Sequence, residues 1–213
     1  MAETQSPRRE RLPRKRRSDG ERSRNAILNE AAHLATVEGI EGLSISRLAD
    51  AVGMSKSGLF AHFGSKEELQ LATIETATAT FNQLIVEPAT AAPSGLERLQ
   101  QLTENFLRYV DKVYPGGCFF ASVSAEMDTR PGPVRDRTVA LQDYWHKLLE
   151  QSVRDAQFEG DLAASEDPEQ LAFELNSFLY LANAEFVVTR KPVPLERGRK
   201  AIASRIAAAA DGS

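Results

Sequence analysis

The chain has 213 residues, of which 42% are hydrophobic, and this is enough for a substantial core in one or two domains. A single cysteine excludes an intramolecular disulfide framework, no run of about 18 apolar residues predicts a membrane-spanning helix, and the charged N-terminus lacks the apolar segment of a signal peptide. We therefore expect a cytoplasmic protein. Its net charge of −4 is unevenly distributed: residues 1–66 contain 12 Lys and Arg against 8 Asp and Glu, and the remainder contains 14 Lys and Arg against 22 Asp and Glu.

Residues 1–22 form a basic N-terminal arm, because most of the positive excess lies between Arg8 and Arg17. The composition predicts disorder in isolation. Three interpretations of the arm stay open. It tracks DNA phosphates or enters a minor groove, it is a solvated extension, or it is a nuclear import signal.

A first amphipathic helix is predicted from Ser23 to Glu38, with Gly39 at its end. Its apolar side chains recur at helical spacing and would brace the next two helices: Ile27, Ala31, Leu34 and Ala35.

A second, short helix follows Ser44, whose hydroxyl can cap the helix start, and ends at Gly53 in a left-handed conformation. Its inward side chains follow the i, i+3, i+4, i+7 spacing: Ile45, Leu48, Ala49 and Val52. Ser55 then caps a third helix after a turn of about three residues. Two short helices joined by such a turn are typical of a unit that places one helix in the major groove of DNA.

The third helix directs Leu59 and Phe63 inward. Its outward or edge positions form the reading set: Lys56, Ser57, Gly58, Phe60 and His62. A glycine inside a helix costs about 1 kcal/mol against alanine. Close approach of the backbone to a ligand is one reason to keep it, and we take that ligand to be DNA.

A fourth helix is predicted from Lys66 to about Val86, stopping before Pro88. Ser65 and Glu68 have the spacing of a capping box, in which the Ser hydroxyl and the Glu carboxylate each satisfy a backbone N–H.

The segment Gly58-Leu-Phe-Ala-His-Phe-Gly-Ser-Lys-Glu-Glu-Leu69 resembles the TetR family of bacterial transcriptional regulators, and the likeness extends from about Arg24 to Leu71. The resemblance implies an all-α homodimer. Residues 23–66 would form a three-helix DNA-binding domain, and residues 67–213 a domain for effector binding and dimerisation.

The resemblance also implies DNA contacts from the reading set and from Ser44 and Lys66 at helix starts. The family usually has Tyr at the position of Phe60 and often Thr at Gly58, so two hydroxyl groups are missing here. The complete predicted DNA-binding set is Ser44, Ser55, Lys56, Ser57, Gly58, Leu59, Phe60, His62 and Lys66.

Further helices follow, with loops at Pro and Gly. Ser94 caps a fifth helix that runs through Val110, and Tyr114–Gly117 interrupts the pattern before a short apolar helix from Cys118 to Met127. A long helix from about Val134 to Phe158 comes after the break at Arg130–Pro133 and ends at Gly160.

Aromatic side chains in these helices are candidates for an effector pocket between the fourth, fifth and seventh helices. The alternative is that they are ordinary core residues. The predicted pocket set is Phe106, Tyr109, Cys118, Phe119, Phe120, Trp145, His146 and Phe178. Trp145 and His146 each carry a polar atom that needs a partner when buried. Cys118 is either a thiol sensor activated by the helix start or a small core residue.

The last two helices are the predicted dimer interface. Asp167 and Pro168 begin a helix that is apolar nearly all round to Val188, and a helix of this kind must be covered on every side. The final helix, Leu195 to Ala209, would complete a four-helix interface between two subunits. The predicted interface residues are Leu171, Leu175, Phe178, Leu179, Phe186, Ile202 and Ile206. The alternative is that this helix is the buried centre of a monomer.

Together with the resemblance, these patterns imply a transcriptional regulator, expected to be a repressor although an activator stays open, that binds a palindromic operator with half-sites about 34 to 36 Å apart and is released by an unidentified small molecule. The alternative is a helical protein-interaction adaptor without DNA binding. An enzyme is not predicted, because His33, His62 and His146 lie far apart and no phosphate loop or nucleophile elbow is present. No cofactor and no metal are expected.

Overall fold

The computed structural model describes residues 14–127, 129 and 131–211, and every secondary-structure element in these ranges is helical. The α-helices, in chain order, are α1 Arg14–Glu38, α2 Ile45–Val52, α3 Lys56–Phe63, α4 Lys66–Phe81, α5 Glu87–Thr90, α6 Gly95–Lys112, α7 Phe119–Met127, α8 Pro133–Glu159, α9 Pro168–Thr189 and α10 Val193–Asp211. A π-helical segment, Asn82–Val86, joins α4 to α5. None of the helices in these ranges is both long and apolar enough to cross a membrane.

Helix α1 begins at Arg14, well before the predicted start at Ser23. Residues 14–22, predicted to be part of the arm, therefore belong to the helix. Arginine and lysine are good helix formers, so a basic segment can extend a helix that is already formed. Residues 1–13 lie outside the described residues.

The N-terminal domain that is predicted to bind DNA, called the DNA-binding domain below, has its own hydrophobic cluster, formed by α1, α2, α3 and the first turn of α4. The predicted caps are present: the hydroxyl of Ser44 accepts from the Arg47 N–H at 3.2 Å, and that of Ser55 accepts from the Gly58 N–H at 3.1 Å. Gly53 ends α2 with φ of 67°. The turn from residue 53 to residue 55 therefore has the predicted length.

The capping box at α4 is half formed. The Ser65 hydroxyl accepts from the Glu68 N–H at 3.1 Å, as predicted. The Ser65 N–H, however, donates to the Phe63 carbonyl at 2.8 Å instead of reaching the Glu68 carboxylate.

The predicted stop before Pro88 is wrong, because the chain stays helical to Thr90. Proline lacks an N–H and clashes with the carbonyl four residues earlier in a regular α-helix. In a π-helical segment, backbone N–H groups donate to carbonyls five residues earlier instead of four. The Glu87 N–H, for example, donates to the Asn82 carbonyl. The helix can then pass through the proline.

The larger domain packs α6, α8, α9 and α10 together and continues through α4 and α7 into one hydrophobic cluster. Its helix boundaries agree closely with the predicted ones. Ser94 caps α6, Gly160 ends α8 with φ of 86°, and Asp167 caps α9 by accepting from two backbone N–H groups.

The predicted dimer interface requires correction. Six of its residues are already buried within their own chain: Leu171, Leu175, Leu179, Phe186, Ile202 and Ile206. Phe178 is partly buried against the same cluster. Helix α9 has two opposite apolar faces, and its predicted interface residues lie on the face that packs on α8 and α10.

Candidate functional site

Helix α3 presents the predicted reading set on the outside of the DNA-binding domain. Leu59 and Phe63 are buried and fix the helix to α1 and α2. Lys56, Ser57 and Phe60 are exposed, and the side chain of Phe60 is 56% accessible. Gly58 and His62 lie half-buried at the edge of the helix. The outward orientation is as predicted, and contact with DNA stays a prediction.

Two members of the predicted DNA-binding set have other roles. Leu59 has 0% exposure and cannot reach a groove, because its side chain fills the core between the helices. Lys66 donates from Nζ to the carbonyl of Glu41 at 2.7 Å and to its carboxylate at 3.2 Å, which holds it against the loop before α2. The hydroxyls of Ser44 and Ser55 accept at helix caps, and Oγ of Ser55 also lies 3.3 Å from Oγ of Ser57.

The glycine at position 58 has a reason within the fold. A Cβ on Gly58 would lie 3.0 Å from Oγ of Ser55, closer than ordinary contact. That oxygen caps α3 by accepting from the Gly58 N–H. A side chain here would press on the cap. Glycine therefore keeps the cap intact and also leaves no side chain on the outer surface of the helix at this position.

A cavity of about 50 Å³ lies among α4, α6, α7, α8 and α9. Five residues of the predicted pocket set line it: Phe106, Cys118, Phe120, Trp145 and His146. Tyr109 and Phe119 are not in its wall and are buried in the core at 2% and 0% exposure. Phe178 lies at a different surface groove, beside α10.

The remaining lining residues were not predicted: Thr78, Phe81, Asn82, Ala121, Leu141, Gln142, Tyr144, Asn176 and Tyr180. Phe81 is the most central of them. Its ring meets those of Phe120 at 5.5 Å and Trp145 at 5.3 Å edge to face, and Phe106 stacks on Trp145 at 5.9 Å. In the sequence, the one sign that Phe81 differs from an ordinary core residue is its position near the end of the predicted fourth helix, before Pro88.

The polar atoms of the wall are mostly paired. Trp145 donates from Nε1 to Oδ1 of Asn176 at 2.9 Å, and Nδ2 of Asn176 lies 3.0 Å from Nε2 of His146. Asn176 therefore pairs with both side chains, but the expectation of a partner for a buried polar atom applies only to Trp145, because His146 is exposed. Oδ1 of Asn82, in contrast, is buried and has no hydrogen-bond partner among the described residues.

Cys118 is a buried thiol with 3% exposure. Burial raises the pKa of the Cys118 thiol to about 11, and N–H groups at the start of α7 lower it by less. The reactive thiolate is therefore scarce at neutral pH. The sensor interpretation required a lowered pKa, so the structure favours the small core residue.

Helix α7 links the cavity to the DNA-binding domain. Its first turn contributes Phe120 and Ala121 to the cavity wall. Near its end, the Glu126 carboxylate accepts from the N–H of Ile40 at 2.7 Å and from that of Glu41 at 2.9 Å. These two amides belong to the turn between α1 and α2. One short helix thus contacts both the cavity and the turn between α1 and α2.

No group of three or more His, Cys, Asp or Glu side chains that could hold a metal ion occurs in the described part of the chain.

Two family models match the sequence. The model described as bacterial regulatory proteins of the tetR family matches residues 27–73, and the model described as a tetracyclin repressor-like C-terminal domain matches residues 95–202. The transcriptional regulator AcuR of Cereibacter sphaeroides is 26% identical over 159 residues, which cover 72% of this chain and 71% of that protein. The repressor AcnR of Corynebacterium glutamicum is 37% identical over 65 residues, which cover 30% of this chain and 35% of that protein.

Solved structures agree on the fold. A TetR transcriptional regulator from Chloroflexus aurantiacus superposes with a TM-score of 0.82 at 24% identity, covering 89% of this chain and 96% of that one. AibR, solved in complex with isovaleryl coenzyme A and operator DNA, gives 0.67 at 24% identity, covering 83% and 94%. The helix-turn-helix geometry and the two family models lead to one conclusion: this chain is a transcriptional regulator that belongs to the TetR family.

Proposed function

We propose that this protein is a repressor that binds a palindromic operator as a homodimer and releases it when a small molecule occupies the cavity. The observation that carries the proposal is helix α3. Its buried face fixes it to the domain, and its other face presents a lysine, a serine and an aromatic ring to solvent. A helix held in this way can enter the major groove, and its polar side chains can reach base edges and phosphates.

Dimerisation is supported by the second apolar face of α9. Its side chains recur at helical spacing and are exposed to 64% at Phe173, 61% at Leu181 and 84% at Val188. Ala184 lies on the same stripe. Single exposed apolar residues are common on monomers, but a continuous stripe along a helix of 22 residues needs cover. A second copy related by a two-fold axis provides that cover with the same face.

The release mechanism follows from the position of α7. A ligand that enlarges the cavity can displace Phe120 and Ala121, and α7 would carry this displacement to Glu126 and the turn before α2. The two reading helices of the dimer then lose the separation that the operator requires. A ligand that binds this form more tightly shifts the population away from the DNA-binding form. The free energy of that shift equals the difference in the ligand's binding free energy for the two forms.

The test measures binding of the full chain to DNA duplexes taken from the region upstream of its own gene. Binding is monitored by fluorescence anisotropy at several salt concentrations. Lys56→Ala and His62→Ala should weaken binding and leave the thermal unfolding temperature unchanged, because neither side chain is in the core. Lys147→Ala, an exposed lysine on α8, is the matched control and should bind like the wild type. Normal binding by both α3 variants would refute the assignment of the reading helix. Absence of binding to any duplex at low salt would favour the protein-interaction adaptor.

A further inference from the structure

The described wall of the cavity has no carboxylate, lysine or arginine, and it has one buried acceptor without a partner. We propose that its ligand is an uncharged molecule of about one ring in size, mainly apolar, whose hydrogen-bond donor reaches Oδ1 of Asn82. This inference rests on the proposed function only in taking the cavity as the effector site.

The charge of the ligand follows from the wall. None of the described residues that line the cavity is Asp, Glu, Lys or Arg, and the one imidazole, that of His146, is exposed and has Nε2 at 3.0 Å from Nδ2 of Asn176. A buried charge without a partner of opposite sign is strongly unfavourable. An anionic or cationic ligand would therefore lose its hydration without compensation, and an uncharged ligand would not.

The need for a donor follows from Asn82. Other polar atoms of the wall already have partners: the Tyr180 hydroxyl donates to the Ala121 carbonyl at 3.3 Å, Nε2 of Gln142 to Oγ of Ser124 at 2.7 Å, and Oγ1 of Thr78 to the Ile74 carbonyl at 2.8 Å. Oδ1 of Asn82 is buried and lacks a partner among the described residues. A buried acceptor without a donor is costly, so a ligand that supplies the donor is selected over one that does not.

The size and shape follow from the volume and the rings. A cavity of about 50 Å³ has room for only a few water molecules, so the ligand must be small and must displace side chains as it enters. Phe81, Phe106 and Trp145 surround it with ring faces and edges that suit a flat partner. Tyr144 and Tyr180, which line the cavity and are 40% and 38% exposed, form its mouth.

The position of Asn82 connects this contact to regulation. Asn82 begins the π-helical segment at the end of α4, and π-helical turns within α-helices occur frequently at functional sites. At the other end of α4, Nε2 of Gln70 donates to the Ile40 carbonyl at 2.7 Å, in the same turn that Glu126 holds. A donor bound to Asn82 therefore acts on a helix that contacts the DNA-binding domain directly.

The experiment uses fluorescence of Trp145, the only tryptophan in the chain, as a direct report from the cavity wall. The full-length protein is titrated at pH 7 with three probes of similar size: phenol, which carries a donor, toluene, which does not, and benzoate, which is charged. Phenol should bind more tightly than toluene, and benzoate should bind weakest. Asn82→Leu should lower the ratio of phenol to toluene affinity by about tenfold. Gln83→Leu, the exposed neighbour of Asn82, is the control and should leave the ratio unchanged.

Several outcomes would overturn the inference. These are equal affinity for phenol and toluene in the wild type, an unchanged ratio in a folded Asn82→Leu variant, benzoate binding as tightly as phenol, or no response to phenol at millimolar concentration. Tight binding of isovaleryl coenzyme A, whose phosphates carry negative charge, would overturn the assignment to an uncharged ligand. Operator binding is measured separately on the same preparations. Loss of DNA binding alone refutes the proposed function, whereas loss of the probe preference alone refutes this inference.

Discussion

Replacement of Glu126 by alanine should release the turn between α1 and α2 from α7. The variant loses the carboxylate that accepts from the N–H groups of Ile40 and Glu41 at 2.7 and 2.9 Å. A hydrogen bond to a charged group contributes about 1.5 to 3 kcal/mol. Glu126 is only half-buried, so water can replace part of the interaction, and we expect a net loss of about 2 kcal/mol for the pair.

The direct assay is amide hydrogen exchange at Ile40 and Glu41. A loss of about 2 kcal/mol corresponds to exchange about 30 times faster at these two amides if they open locally. Glu126→Gln keeps one acceptor and should show a smaller increase. Asp143→Ala, which removes an exposed carboxylate from α8, is the control and should change neither amide.

The same variant tests the route from the cavity to DNA. Operator affinity should fall, because the reading heads are held less firmly, and any ligand that releases the wild type should have a smaller effect. Unchanged exchange at Ile40 and Glu41 in Glu126→Ala would show that the carboxylate does not hold the turn. Faster exchange together with an unchanged ligand response would show that the signal travels by another path.

Two further predictions concern assembly and pH. Leu181→Glu places a charge on the exposed stripe of α9 and should convert the dimer to a monomer, as measured by light scattering. The control Phe158→Glu, at a side chain that is 94% exposed on α8, should leave the measured mass unchanged. A dimer that persists in Leu181→Glu would show that the stripe is not part of the interface. Hydrogen bonds from Gln170 and then Arg205 lower the pKa of Glu174. Because the pKa is lowered in the folded protein, the stabilisation is present above the ordinary value and is lost as pH falls through the lowered one. The unfolding temperature should therefore decline on acidification, and Arg205→Met should reduce that dependence; an equally steep decline in the variant would contradict it.

The DNA-binding domain could be predicted from the sequence because its determinants are local. Ser44, Ser55 and Ser65 each cap a helix through an N–H three residues away, and Gly53 ends α2 within the same short segment. Spacing alone specifies such interactions. The reading face of α3 follows, since helical periodicity sends Leu59 and Phe63 inward together.

The cavity and the dimer face could not be predicted in the same way because they depend on distant parts of the chain. The bond from Ile40 to Glu126 joins residues 86 positions apart. Helix α9 is apolar on two opposite sides, and only the placement of α8 and α10 decides which side is buried. Pro88 indicated a helix end by its usual chemistry, but a π-helical segment accommodates it, and Asn82, whose side-chain Oδ1 has no partner among the described residues, begins that segment.

The nearly filled cavity behind Tyr144 and Tyr180 has a kinetic consequence. A compound cannot enter until these rings and the side chains behind them move, so entry is gated by protein motion and is slower than diffusional encounter. Departure requires the same opening. The regulator would therefore keep its state after a brief pulse of compound has passed, and transcription would follow the sustained level of the signal instead of its rapid fluctuations.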